Sequence, residues 1–158
     1  MLDAVTHTVH VLLAGVWLGG VVFTTTVVSP ALKAMKWPDA ERIGVRSVIG
    51  GYYARVGTLN LLLLLFFAVL DGIFGGFGGF LYAEYALLVI LFFLVVSHGA
   101  YFGRRLRELA EAEEKADDRR EAAEISGRRR SLQRLSFAVS VADILVSVIV
   151  VILSVNAL

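Results

Sequence analysis

The sequence predicts an all-α integral membrane protein, a bundle of four membrane-crossing helices with a charged helical extension between the third and the fourth. Three observations predict it. Of the 158 residues, 58% are hydrophobic and only 18% charged, against roughly 25% charged in an ordinary soluble domain. The apolar residues gather into four runs, each near the ~20 residues that a helix needs to cross a bilayer. The 15 Lys and Arg residues are confined to two of the intervening segments.

The first span runs from about Ala4 to Val28, carries no charge, and is expected to end before Ser29-Pro30, because proline disfavours helix at the residue before it. Asp3, not a basic residue, flanks this run, and no small-residue cleavage site precedes Pro30, so it reads as a retained helix and not as a signal peptide. The first connection, 31–55, holds Lys33, Lys36, Arg42, Arg46 and Arg55, with Trp37 and Tyr52-Tyr53 suited to the headgroup level. The second span covers about 56–74. The run Gly75-Gly76-Phe77-Gly78-Gly79 follows, and clustered glycines supply the positive φ angles of a turn. The third span covers about 81–102. After it, 103–134 is rich in Arg, Glu, Ala and Leu, which predicts a solvated helix that breaks near Ser126-Gly127. The fourth span covers about 135–155.

The basic residues orient these spans. All fall in 31–55 or 103–134, so by the positive-inside rule both connections are cytoplasmic. The chain is then N-out and C-out, a multi-pass protein of the plasma (cytoplasmic) membrane forming a single domain over 1–158. Asp3, Asp71 and Glu84 belong to the outer half, which has no Lys or Arg.

Composition also excludes chemistry. With no cysteine, disulfides, thiolate metal sites, iron–sulfur clusters and cysteine redox steps are absent. No phosphate-binding glycine loop, HExxH pair or nucleophile–base arrangement occurs. In 103–134 basic and acidic residues interleave, which suits helical pairs at three- and four-residue spacing and not a nucleic-acid site. Arg128-Arg129-Arg130 alone suits anionic headgroups.

Ionisable groups inside a span are costly and mark functional sites. Asp3, His7, His10 and Trp17 recur at i, i+4, i+7 and i+14 and so share one stripe of the first helix. The fourth span carries Ser136, Ser140, Asp143, Ser147 and Ser154 on another. Asp143 lies near the expected midplane, where a carboxylate needs a donor such as Asn60, Trp17, a hydroxyl or a cofactor. His98 lies toward the cytoplasmic face, roughly 20 Å from His10 along the membrane normal at 1.5 Å per residue, too far to share one metal ion. Gly15, Gly19 and Gly20 form a small-residue patch that either packs the helix or clears space for a flat ligand.

The stretch His10-Val-Leu-Leu-Ala-Gly-Val-Trp17-Leu18-Gly19-Gly20, followed by Pro30, resembles the first transmembrane helix of the CopD-like membrane proteins, nearest their transmembrane protein 205-like relatives. It is also similar to the first helix of HemJ-type protoporphyrinogen oxidases, where a histidine precedes a tryptophan by seven residues and a glycine follows. His98 before Gly103-Arg104-Arg105 echoes the same group. The resemblance implies a four-helix, cytochrome-b-like bundle and, from the HemJ branch, a b-type haem; from the CopD branch it implies copper. Where the HemJ pattern has a lysine in the outer half of the third helix, this chain has Glu84.

Two functional expectations follow. In the first, the protein binds haem b through His10, with Trp17, Gly19, Gly20, Asp143 and His98 about the cofactor, and serves electron transfer or redox sensing with a redox partner or quinone. A bis-histidine iron then calls for a homodimer pairing His10 across an interface; otherwise the iron is five-coordinate. In the second, the protein handles or transports copper or another metal ion, with Asp3, His7 and His10 as the outer site and Asp143 as a midplane relay. The only sulfurs are Met1 and Met35, so imidazole and carboxylate favour Cu(II) or Zn(II) over Cu(I). A cofactor-free scaffold is the third alternative, and the sequence names no catalytic residue. The topology is open to direct test because the chain lacks cysteine. An impermeant maleimide added to intact cells is expected to label Phe77→Cys and to spare Lys115→Cys until the membrane is permeabilised; the reverse pattern overturns the orientation.

Overall fold

The structure, a computed structural model, describes residues 2–156, with the backbone alone described at Asp39, Ala40, Gly99 and Ala100. The described residues are helical, with turns and no strand. Helix α1 (Leu2–Phe23) passes through a π-helical segment (Thr24–Val28) into α2 (Ser29–Ala34). Helix α3 runs from Asp39 to Gly75. Helix α4 (Gly79–Ser97) continues through a second π segment (His98–Gly103) into α5 (Arg104–Glu114), and α6 (Arg119–Val155) completes the fold. Four continuous helical stretches are each long and apolar enough to cross a membrane. This is the architecture of a multi-pass membrane protein.

Three boundaries differ from the sequence expectation. Proline does not end the first helix. The π segment directly before Ser29 widens the helix by one residue per turn, and Pro30 enters at the start of α2, where the amide hydrogen it lacks is not required. The segment 31–55 is not a loose connection, because α3 starts at Asp39 and runs unbroken through Gly44, Gly50, Gly51 and Gly57. The charged extension breaks at 115–118 and not at Ser126-Gly127, which lies inside α6. The cause is local: the Asp118 side chain accepts from the Glu121 amide at 2.7 Å, an N-cap that starts a new helix.

Packing pairs α1 with α3, α3 with α4, α4 with α6 and α6 with α1. Helices α1 and α4 therefore occupy opposite corners of a four-rod bundle. The start of α1, the end of α6 and the Gly76 turn, whose φ is +97°, lie at one end, and the basic segments extend beyond the other. At the basic end α5 and α6 form an antiparallel pair. Arg104 and Arg105 share Glu108, Arg107 pairs with Glu111, and Arg129 crosses from α6 to Glu113 on α5 at 3.0 Å. The two arginines beside Glu108 hold its carboxyl below the usual carboxylate range.

The interior is built in layers, one side chain from each rod. Ala14, Leu64, Leu88 and Val150, all fully or almost fully buried, make the central apolar layer. Toward the basic end the next level holds Trp17, Leu61, Leu91 and Ser147, where Trp17 Nε1 donates to Ser147 Oγ at 2.9 Å. Apolar attraction between helices is weak when lipid is the alternative, so cross-helix hydrogen bonds of about 0.6–2 kcal/mol each matter. Asn60 Nδ2 donates to the Leu13 carbonyl at 3.1 Å and the Tyr85 hydroxyl to the Ala68 carbonyl at 2.9 Å.

Neighbouring side chains pack directly onto Gly72 and Gly57. A Cβ at Gly72 would stand 2.5 Å from Phe77 Cε1 and 2.8 Å from Leu81 Cδ2, and one at Gly57 would stand 3.1 Å from Trp17 Cζ3. Gly15 has nothing within 4 Å of such an atom. Gly72→Val is therefore expected to lower the thermal unfolding midpoint in detergent, with a cost of about 1–3 kcal/mol from overpacking against Leu81. Gly15→Ala is expected to raise it or leave it unchanged, by up to about 1 kcal/mol of helix propensity. Equal midpoints for the two variants overturn this packing.

Candidate functional site

The stripe on α1 is real for three of its four members. His10 and Trp17 are buried, His7 is 13% exposed, and Asp3 is exposed. Helical repeat turns the first three toward α3, α4 and α6. The acid that meets the imidazoles is Asp71, on the last turns of α3, and not the expected Asp3. Asp71 Oδ2 accepts from His7 Nδ1 at 2.8 Å and from His10 Nδ1 at 3.0 Å. The other nitrogen of His10, Nε2, lies 2.9 Å from Glu84 Oε1 on α4, across the diagonal of the bundle. Ser154 of α6 donates to the same Glu84 oxygen. One imidazole thus ties three rods directly and the fourth through Glu84.

Burial makes this cluster electrostatically demanding. His10 and Glu84 are 0% exposed and Asp71 6%. Two carboxylates are held out of water in a half of the bundle that has no Lys or Arg. Their charge can be balanced only by protons on the imidazoles and carboxyls or by a bound cation. Glu84 Oε2 is buried with no hydrogen-bond partner, an unsatisfied acceptor directed into the same interior. His7, His10 and Asp71 each offer one ligand atom, a ring nitrogen or a carboxylate oxygen, within 4.8 Å of the others. Two imidazole nitrogens and a carboxylate oxygen at that spacing form a ligand set for a borderline divalent ion.

The surroundings of His10 bear on both metal expectations. Both of its nitrogens are hydrogen-bonded to carboxylates, so iron or any other metal ion held there would take the place of one of these contacts. The Trp17 ring packs on Gly57, with its centroid 6.4 Å from that of Tyr53. Gly19 is exposed with open space at its Cα, and Gly20 packs against Tyr53, where a Cβ would stand 3.1 Å from the phenol oxygen. The glycine patch packs a helix and opens outward; it lines no slot beside His10. His98 begins the second π segment, its ring centroid 5.8 Å from that of Phe102. It is 14 residues along the helix from Glu84, about 21 Å at 1.5 Å per residue, and so is not brought to His10.

Asp143 is not brought to His10 either. Eleven residues separate it from Ser154 on α6, about 16 Å. The donors expected for it serve other acceptors, Trp17 reaching Ser147 and Asn60 the Leu13 carbonyl. The polar face of α6 does look inward: Ser136, Ser147 and Ser154 are buried and Ser140 and Asp143 half-buried.

Asp71 and Glu84 are the residues that sequence reasoning placed in the outer half without joining to the histidines. The signal was available. They stand four residues before and five after the glycine run 75–79, so closing that turn sets them at one level of adjacent rods, the level that His7 and His10 reach from the start of α1.

Comparison with known proteins adds a family. No curated protein and no solved structure matches the chain. The model of a family described as a domain of unknown function, DUF4149, matches residues 12–115, a stretch that contains Trp17, Asp71, Glu84 and His98 and stops short of His7, His10 and α6. By that match over more than half its length, the chain belongs to the DUF4149 family.

Proposed function

We propose that this protein is a multi-pass membrane protein that binds a borderline divalent metal ion, Cu(II) or Zn(II), at the outer end of its bundle, and that metal-ion handling is its function. The observation that carries the reading is the convergence of His7, His10 and Asp71, each of which offers one ligand atom within 4.8 Å of the others, with Glu84 Oε2 unpartnered on the residue that His10 also meets. The confinement of Lys and Arg to 33–55 and 104–134 supports an N-out, C-out topology. That topology turns the cluster toward the extracytoplasmic side, with His7, its partly exposed member, nearest the entrance.

The chemistry follows from proton inventory. Each hydrogen bond of His10 contains one proton, so the chain Asp71–His10–Glu84 holds two. Coordination through His10 Nδ1 requires the proton on that nitrogen to leave, while the proton between Nε2 and Glu84 stays and fixes the ring, the outer-shell role that carboxylates play for metal-bound imidazoles. His7 needs only to move its proton to its other nitrogen. Two negative carboxylates facing one dication leave the buried site neutral, which removes the cost of an unbalanced charge in the interior. Among first-row divalent ions such a set binds Cu(II) most tightly and Zn(II) next among the non-redox ions.

Isothermal titration of chelator-stripped protein in detergent is expected to give one Zn(II) or Cu(II) per chain. His7→Ala/His10→Ala is expected to weaken affinity by about a hundredfold or more. A protein that keeps its affinity in the double variant, or binds neither ion, overturns the reading. Binding is expected to release at least one proton, read from heats in buffers of different ionisation enthalpy. The sign follows: affinity falls as pH is lowered, by about tenfold per pH unit while one proton is exchanged.

A further inference from the structure

A cleft opens at the basic end of the molecule, beyond the apolar band, and the metal cluster has no part in it. On α3 the exposed large apolar side chains continue from Phe74 down to Tyr52, and past Tyr52 only Val48 follows. Val48 and Ile43 lie four and nine residues further on, about 6 and 14 Å at 1.5 Å per residue. Here the first part of α3 stands apart from the α5–α6 pair, and a cavity of about 650 Å³ separates them. Pro38, Ile43 and Val48 form an apolar wall, and Ala110 and Glu114 of α5 face it. Gly44 leaves that wall bare, since a Cβ there would meet nothing within 4 Å.

The elbow between α2 and α3 adjoins this cleft through Pro38. Met35 ends α2 with an extended backbone, ψ 124°, so the chain turns there and its next side chains face outward. Met35 is 42% exposed and Trp37 41%, and Val48 on the cleft wall is 60% exposed. Large apolar side chains exposed together among charged helices mark an interaction surface, and tryptophan is enriched among the residues that anchor one.

Charge and height say what fits. Arg107 is held by Glu111 at 2.9 Å and Arg129 by Glu113 at 3.0 Å, which leaves the cleft with the carboxylate of Glu114. The elbow, 33–38, carries Lys33 and Lys36 and no acid. Among the described residues neither lysine has an ion-pair partner, and Glu114 has none. Copies of one chain share one orientation in a bilayer, so the twofold axis of a closed pair runs along the membrane normal. Surfaces that fit one another must then lie at one height. The elbow and the cleft do, since Pro38 belongs to both.

We propose that the protein forms a twofold homodimer in which Met35 and Trp37 of each copy dock into the cleft of the other, between Val48 and Ala110, with Lys33 and Lys36 toward Glu114. The centre of the contact is apolar on both sides. The charges stand at its rim, where they set register more than affinity.

The chain has no cysteine, so cross-linking reads this contact directly. Two differently tagged forms, Met35→Cys and Ala110→Cys, are co-expressed and treated in membranes with a short bismaleimide. A product carrying both tags is expected, and it is expected to be lost when Ala112→Cys, about 200° around α5, replaces Ala110→Cys. Gly44→Leu in both forms meets no neighbour within a chain but fills the cleft, and is expected to abolish the product. Glu114→Lys in the Ala110→Cys form is expected to lower the yield by up to about fivefold, the most that one exposed ion pair is worth. Lys33→Glu/Lys36→Glu in the Met35→Cys form is expected to restore it. Thermal melts in detergent confirm that each variant is folded; should Gly44→Leu fail that check, the comparison of Ala110→Cys with Ala112→Cys decides. No doubly tagged product, an equal yield from Ala112→Cys, or a yield that folded Gly44→Leu leaves unchanged overturns the dimer. Quenching of tryptophan emission by brominated lipid that Trp37→Phe removes assigns the elbow to the bilayer and overturns it equally. Zinc titration of the same variants reports on the cluster around His10 separately, so the failure of either reading leaves the other standing.

Discussion

Everything at the glycine-turn end of the bundle depends on His10 meeting two carboxylates at once. An imidazole with an acid on each nitrogen cannot rotate, and its position on α1 is then fixed against α3 by Asp71 and against α4 by Glu84. Ser154 brings α6 to the same oxygen of Glu84. The bond from His10 to Glu84 runs between opposite corners of the bundle, so the middle of this layer is polar while the layer beneath it, around Ala14 and Leu64, is apolar. The inversion is costly in a low-dielectric interior and persists only where every charge is answered.

That accounting separates the cluster from its neighbours. Within the four-rod bundle the cross-helix bonds from Trp17, Asn60 and Tyr85 are neutral and satisfied. Gly57 and Gly72 leave room for the side chains that pack onto them. Neutral bonds of this kind suffice to hold helices together in an apolar solvent. The two levels with orphaned acceptors, at Glu84 and at Asp143, lie on either side of the central apolar layer.

Much of the fold was legible in the residues. Apolar runs describe the four rods, because that pattern arises from the solvent and not from tertiary detail. Local backbone chemistry was harder to read. Pro30 reads as a stop, yet a π turn before it absorbs the missing donor. Ser126-Gly127 reads as a break, yet the cap at Asp118 had already started the helix. At the site, the stripe of His7, His10 and Trp17 was visible from spacing, and so was the inward face of α6. The partners were not, because Asp71 and Glu84 join the stripe only through the closure of a turn on two other rods. Asp3 looked the better ligand from sequence distance, and its place at the exposed start of α1 removes it.

The cluster around His10 is hard to explain as mechanical glue. If its role were to join three helices, asparagine or serine would do so as Asn60 and Ser147 do, with no charge to neutralise and no acceptor left over. A satisfied neutral bond and an apolar contact are close in stability, whereas a buried acid without its counter-ion is a standing penalty of several kcal/mol. The chain spends ionisable residues on one level and neutral ones on the rest, and Glu84 Oε2 remains unsatisfied at 0% exposure. On the proposed reading a bound cation would remove that penalty, with Asp71 as a direct ligand and Glu84 acting through the imidazole that it orients.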